Sequence, residues 1–155
     1  QAGPDPTTPW RARLLQNPQD VEALLALAHV QLDQQRLDEA ESIYRQVLSL
    51  QPKNVEAITH MGTVLLRRGQ ALAALREYDA ALALKPDYIH ALWDKATLLQ
   101  QVMEDYPAAI RTWEAFEKAV GPDSQDAKTA QRFISEAREA MQNASPVEKA
   151  FQKKS

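Results

Sequence analysis

Pro18, Pro52 and Pro86 stand 34 residues apart, and other positions keep the same interval. Ala23, Ala57 and Ala91 do so, as do the pairs Ala40 and Ala74, Tyr44 and Tyr78, Leu48 and Leu82, and Leu50 and Leu84. A fixed period of this length means one supersecondary unit used several times, each unit burying its apolar face by stacking on the next. Val21, Val55 and Ile89 open three such units. Leu24, Leu27, Ala28 and Gln31, then Ile58, Met61, Gly62 and Leu65, then Leu92, Lys95, Ala96 and Leu99 share offsets of 0, 3, 4 and 7, which is one face of a helix. Each unit therefore begins with an amphipathic helix.

The columns have distinct physical roles. Ala28, Gly62 and Ala96 sit where the two helices of a unit come closest, so a small side chain is required, and Ala40, Ala74 and Ala109 fill the matching slot on the second helix. Tyr44, Tyr78 and Trp113 supply the large groups that pack against them. The prolines close each unit, because proline cannot continue a helix and restricts the residue before it. A 34-residue helix-turn-helix unit with these columns resembles the tetratricopeptide repeat, over residues 10 to 120.

Two departures mark the third repeat. Lys95 stands in a slot that is otherwise apolar, and the step from Ala74 to Ala109 is 35, which places an inserted residue within Gln101 to Asp105. The ends read as caps. Trp10 and Leu14 precede Tyr44 and Leu48 by one period, so the residues from Pro9 to Asn17 read as the second helix of a half repeat, with Trp10 as a core group. Ala130, Phe133, Ile134, Ala137 and Met141 form one stripe on a closing helix. The expected fold is all-α: a superhelix of three helix-turn-helix repeats (21–54, 55–88 and 89–123) with an N-terminal half-repeat helix and a C-terminal capping helix over 126–142. The repeat domain spans 9–142, between a proline-rich linker at 1–8 and a flexible tail at 143–155. Gln1 is no initiator methionine, and the linker implies an upstream domain, signal peptide or membrane anchor.

Composition narrows the function. Eighteen basic against 21 acidic residues leave a net charge of −3, against the basic surplus of a nucleic-acid binder. The absence of cysteine excludes disulfides, thiolate zinc sites and a cysteine nucleophile. Four glycines cannot build a phosphate loop, and no serine lies in a nucleophile elbow. His29, His60 and His90 form no H-E-x-x-H pattern. No enzyme activity, metal or cofactor is expected, and the binding partner expected is a protein or peptide, with no nucleic acid.

The resemblance implies that offsets 2, 5, 6 and 9 of each repeat face a concave groove. Here these are Glu22, Leu25, Ala26 and His29, then Glu56, Thr59, His60 and Thr63, then His90, Trp93, Asp94 and Thr97. The candidate partner-binding residues are Leu25, His29, Thr59, His60, Thr63, His90, Trp93, Asp94 and Thr97, with Trp93 either an exposed anchor or packed on the lengthened third-repeat turn. The three histidines step back about one helical turn per repeat and trace a diagonal across that face. Some family members hold a terminal carboxylate with lysine, asparagine and arginine at groove positions. Two of those slots are Leu25 and Asp94 here, which argues against that clamp.

A second resemblance is narrower. Tyr106-x-x-Ala109-Ile110-x-x-Trp113, Pro122-x-Ser124 and Ala137-Arg138, with the opening Leu14-Leu15-Gln16-Asn17-Pro18, are similar to bacterial periplasmic repeat proteins of cytochrome c maturation. It implies a periplasmic or membrane-anchored setting, the membrane touched only through an N-terminal anchor outside this chain; a cytoplasmic setting is the alternative. A binding module is the leading functional reading. A self-assembling scaffold, and a haem or metal handler using the histidines, stand beside it.

Overall fold

The computed structural model describes residues 3–144; residues 1–2 of the expected linker and 145–155 of the expected tail lie outside it. The described residues form eight α-helices and no strand: α1 (Thr8–Gln16), α2 (Val21–Asp33), α3 (Leu37–Leu50), α4 (Val55–Arg67), α5 (Ala71–Leu84), α6 (Ile89–Gln101), α7 (Tyr106–Val120) and α8 (Gln125–Asn143).

Proline periodicity becomes turn periodicity. The amides of Asp20, Asn54, Tyr88 and Ser124 donate to the carbonyls of Asn17, Gln51, Lys85 and Gly121 at 3.0–3.1 Å, closing four-residue turns with Pro18, Pro52, Pro86 and Pro122 in second place. Proline has the φ that this place requires. The last residue of the turn then caps the next helix. Asp20, Asn54 and Ser124 accept from the amides of Ala23, Ala57 and Ala127, each satisfying one of the unpaired donors of a helix start. Tyr88 holds the same place in the third repeat without a side-chain cap.

The turns inside each repeat share a different device. Gln35, Gly69 and Glu104, two or three residues beyond the first helix of their units, have positive φ (61°, 77° and 54°). In the first two repeats the following amide reaches back five residues, Arg36 to Gln31 and Gln70 to Leu65, both at 2.9 Å. In the third, Asp105 reaches back six, to Leu99, at 2.9 Å. The inserted residue is thus absorbed in the stretch from Val102 to Asp105, and Asp105 goes on to cap α7 through the amide of Ala108.

The chain divides into two compact units, Gln1–Leu84 and Lys85–Ser155. The first holds α1 and two helical hairpins. Its core joins Leu24, Ala28 and Leu32 of α2, Ala40, Tyr44 and Val47 of α3, and Ala57, Met61 and Val64 of α4, with Leu14 of α1 and Leu25 packed against it. Arg13 ties α1 to the start of α2 through Asp20 and Glu22, both at 2.8 Å. On the surface, Arg68 pairs with Asp38 and Glu41, and Arg45 also pairs with Glu41. Those two guanidiniums hold the Glu41 carboxyl below its ordinary range. Trp10 departs from expectation. It is half-buried, with the Arg13 guanidinium 5.7 Å from its ring centre. No helix precedes α1 among the described residues to complete a hairpin with it, so the ring has no small-residue slot of its own unit to fill.

The second unit is held by an aromatic cluster. Trp113 of α7 is 1% exposed, stacks on Phe133 of α8 at 4.9 Å and meets Trp93 of α6 edge-on at 5.0 Å. Phe116 completes the set, 5.4 Å from Trp93. Such ring pairs contribute about 0.5–1.5 kcal/mol each beyond the area they bury. One side chain serves the polar groups at its edge: Gln100 accepts from Trp113 Nε1 at 2.8 Å and donates to the Phe133 carbonyl at 3.1 Å. It links α6 to both α7 and α8.

A Cβ at Gly62 would lie 2.6 Å from Tyr78 Cε1 and 3.2 Å from the Ala74 carbonyl oxygen. Gly62→Ala adds about 1 kcal/mol of helix propensity, against overpacking of about 1–3 kcal/mol. The variant should therefore melt below the parent in a thermal scan, and a higher Tm would refute the close approach. Gln100→Leu keeps the volume but removes the acceptor of a buried indole N–H, at a cost of about 1–3 kcal/mol. Urea unfolding should show a lower midpoint, and an unchanged midpoint would show that the link carries no stability.

Candidate functional site

The residues expected on the groove face fall in both units. In the first, His29 comes from α2 while Glu56, Thr59, His60 and Thr63 come from α4. Glu56 and His60 are one turn apart on one helix, so both point to the same side. The His29 and His60 rings lie 4.4 Å apart at 69°. Tyr44 backs them: its ring stacks on His60 at 5.6 Å and tilts against His29 at 6.1 Å. Glu56 Oε1 lies 3.3 Å from His29 Nε2, yet that nitrogen is buried with no hydrogen-bond partner. The Tyr44 hydroxyl is in the same condition. Burial, and then the charges of Glu56 and Asp33, push the Tyr44 phenol well above its ordinary pKa, so it stays a neutral O–H.

The other first-unit positions vary in depth. Thr59 is fully buried and donates to the Val55 carbonyl of its own helix at 2.8 Å, so it offers no group to the face. Leu25 is half-buried and packs against the first-unit core. Thr63 is half-buried, its hydroxyl 3.4 Å from that of Tyr78.

In the second unit, Trp93 is half-buried in the aromatic cluster. It packs on Phe116 of α7 and Phe133 of α8 and keeps part of its surface exposed. Asp94 and Thr97 are half-buried on the same helix. His90 is exposed at the start of α6 with its ring 5.5 Å from Tyr88. The structure thus brings two of the three histidines together in the first unit and places the third in the second. The offsets place Glu56 on the groove face without singling it out, and they give no sign of Tyr44 as a third ring of the cluster. The signal for Glu56 was its four-residue spacing from His60.

No described helix is long and apolar enough to cross a membrane. No curated protein sequence matches the chain. Solved structures do. A tetratricopeptide repeat protein from Parabacteroides merdae superposes with a TM-score of 0.68 at 22% identity, over 88% of this chain and 54% of that one, so this chain spans about half its length. The TPR2B domain of yeast Sti1, solved as a pHsp70 complex, gives 0.69 at 15% identity, over 77% of this chain and 97% of that one. The first TPR of Spaghetti, bound to the HSP90 peptide SRMEEVD, gives 0.68 at 21% identity, over 78% and 97%. At these identities the likeness is one of fold. The family model for the tetratricopeptide repeat matches residues 12–61 and again 32–96, together more than half of the chain. With three proline-closed helical hairpins and their small-residue and aromatic columns in register, the chain belongs to the tetratricopeptide-repeat family.

Proposed function

We propose that this protein is a non-catalytic interaction module that holds a peptide or a helical segment of a partner protein on its first-helix faces. The observation that carries this reading is the shared fold with two repeat domains solved on chaperone ligands, pHsp70 and an HSP90 peptide. The face in the first unit has the chemistry for it. Leu25 and Ala26 offer half-buried apolar surface, and His29, His60 and Thr63 offer hydrogen-bonding groups beside it. Recognition of this kind needs no covalent step. Leu25 and Asp94 in the clamp slots set the ligand class apart from a chain terminating in a carboxylate, since neither side chain is a cation.

Selection of a random peptide library on the purified chain, followed by calorimetry, tests this reading. Enriched peptides should bind saturably. Exchanging Leu25→Asp together with His60→Ala should weaken them at least about tenfold, roughly the 1.4 kcal/mol of one lost contact. SRMEEVD should not compete. Enrichment of nothing, or equal affinity in the double variant, would overturn the assignment to this face.

We also propose an extracytoplasmic setting, supported by the likeness of residues 106–138 to periplasmic repeat proteins. An alkaline phosphatase fused to the natural full-length protein in its own host should be active; an inactive, stable fusion would place the protein in the cytoplasm.

A further inference from the structure

The cluster on α2 and α4 has a chemistry that peptide binding does not call upon. His29, Glu56 and His60 each offer one ligand atom, and those atoms lie within 4.8 Å of one another. Two imidazole nitrogens and a carboxylate oxygen are the donor set of three-ligand zinc sites, which leave a fourth position open. Ligands 2.0–2.1 Å from a tetrahedral ion stand about 3.3 Å apart. His29 Nε2 and Glu56 Oε1 are already 3.3 Å apart. No pair of ligand atoms exceeds that ideal by more than about 1.5 Å, a gap that small side-chain rotations of the three half-buried residues can close.

A second observation points the same way. A buried polar atom without a partner costs about 1–3 kcal/mol and calls for an explanation. His29 Nε2 is buried and makes no hydrogen bond, its contact with the Glu56 carboxylate at 3.3 Å being an ion-pair distance only. An ion between the two would satisfy both. The Tyr44 ring, stacked on His60 and tilted on His29, restricts both imidazoles as the surroundings of a metal site do.

We propose that His29, Glu56 and His60 form a binding site for a divalent first-row metal ion of the zinc type, spanning the first helices of the first two repeats. Water, or a donor from a bound partner, takes the fourth position. The nitrogen ligands favour zinc, nickel or copper over magnesium and calcium, which require oxygen. Zinc would join α2 to α4 and fix the distance between two repeats. The site stands on side-chain geometry alone and does not depend on the peptide reading.

The test is titration of the purified chain with zinc chloride, without peptide, followed by calorimetry and thermal melting. One equivalent should bind, and the Tm should rise with free zinc, as it must when a ligand binds only the folded state. Loss of a residue merely outside the ligand set costs about 10–100-fold in affinity, so His29→Gln, His60→Gln and Glu56→Gln should each weaken zinc at least tenfold. His90→Gln, outside the cluster, should bind as the parent does. Circular dichroism shows whether each variant is folded, and His60→Ala replaces His60→Gln if that variant is not. No saturable binding, equal binding in the three cluster variants, or equal response to magnesium would overturn the proposal. The peptide selection stands or falls separately, because no metal enters it.

Discussion

Everything in this fold depends on how closely two helices of a repeat can approach. At Gly62 the distance is set by the Tyr78 ring lying where a Cβ would be, with the Ala74 carbonyl behind it. The same columns are Ala28, Ala40 and Tyr44 in the first repeat and Ala96, Ala109 and Trp113 in the third, all buried. Small residues on both helices and one large ring between them fix the spacing of each hairpin. The remaining apolar positions then need only be roughly the right size. This explains why these columns recur while much of the intervening sequence drifts.

The third repeat shows how far a unit can depart without losing the plan. Its ring is a tryptophan, whose N–H must be satisfied once buried, and Gln100 provides the acceptor from the neighbouring helix. Its inner turn takes one more residue and keeps its backbone closed by reaching back six places instead of five. Its first helix loses the side-chain cap that Asp20 and Asn54 provide, because Tyr88 has no oxygen at the right distance from its own backbone. Each change is local, and each has its own compensation or none. That is the behaviour of a quasi-one-dimensional protein, in which a repeat answers only to its neighbours.

The repeat register, the small-residue columns, the extra residue before α7 and the closing helix were all legible in the sequence, because each is a statement about period or helix geometry. What period alone could not give was depth. Thr59 and His60 are adjacent and both polar, yet one is fully buried and bonds to its own helix while the other lies in a ring cluster. Trp93 occupies a groove column by offset, but Phe116 and Phe133 come from helices whose placement the offset does not specify. Trp10 aligns with a core column and is only half-buried, because alignment says nothing about whether a partner helix is present.

The histidine cluster fails to show in sequence for a more specific reason. Short ligand spacing on one helix is the usual sequence mark of a metal site, and within this cluster only the pair Glu56 and His60 has it. The third group is 27 residues before Glu56, on the first helix of the preceding repeat. Stacking brings offset 9 of one repeat beside offsets 2 and 6 of the next, as the meeting of His29 with Glu56 and His60 shows. A site of this kind belongs to the seam between repeats and to neither repeat alone. It can be read from sequence only by comparing unlike columns of successive units, whereas repeat detection compares like with like.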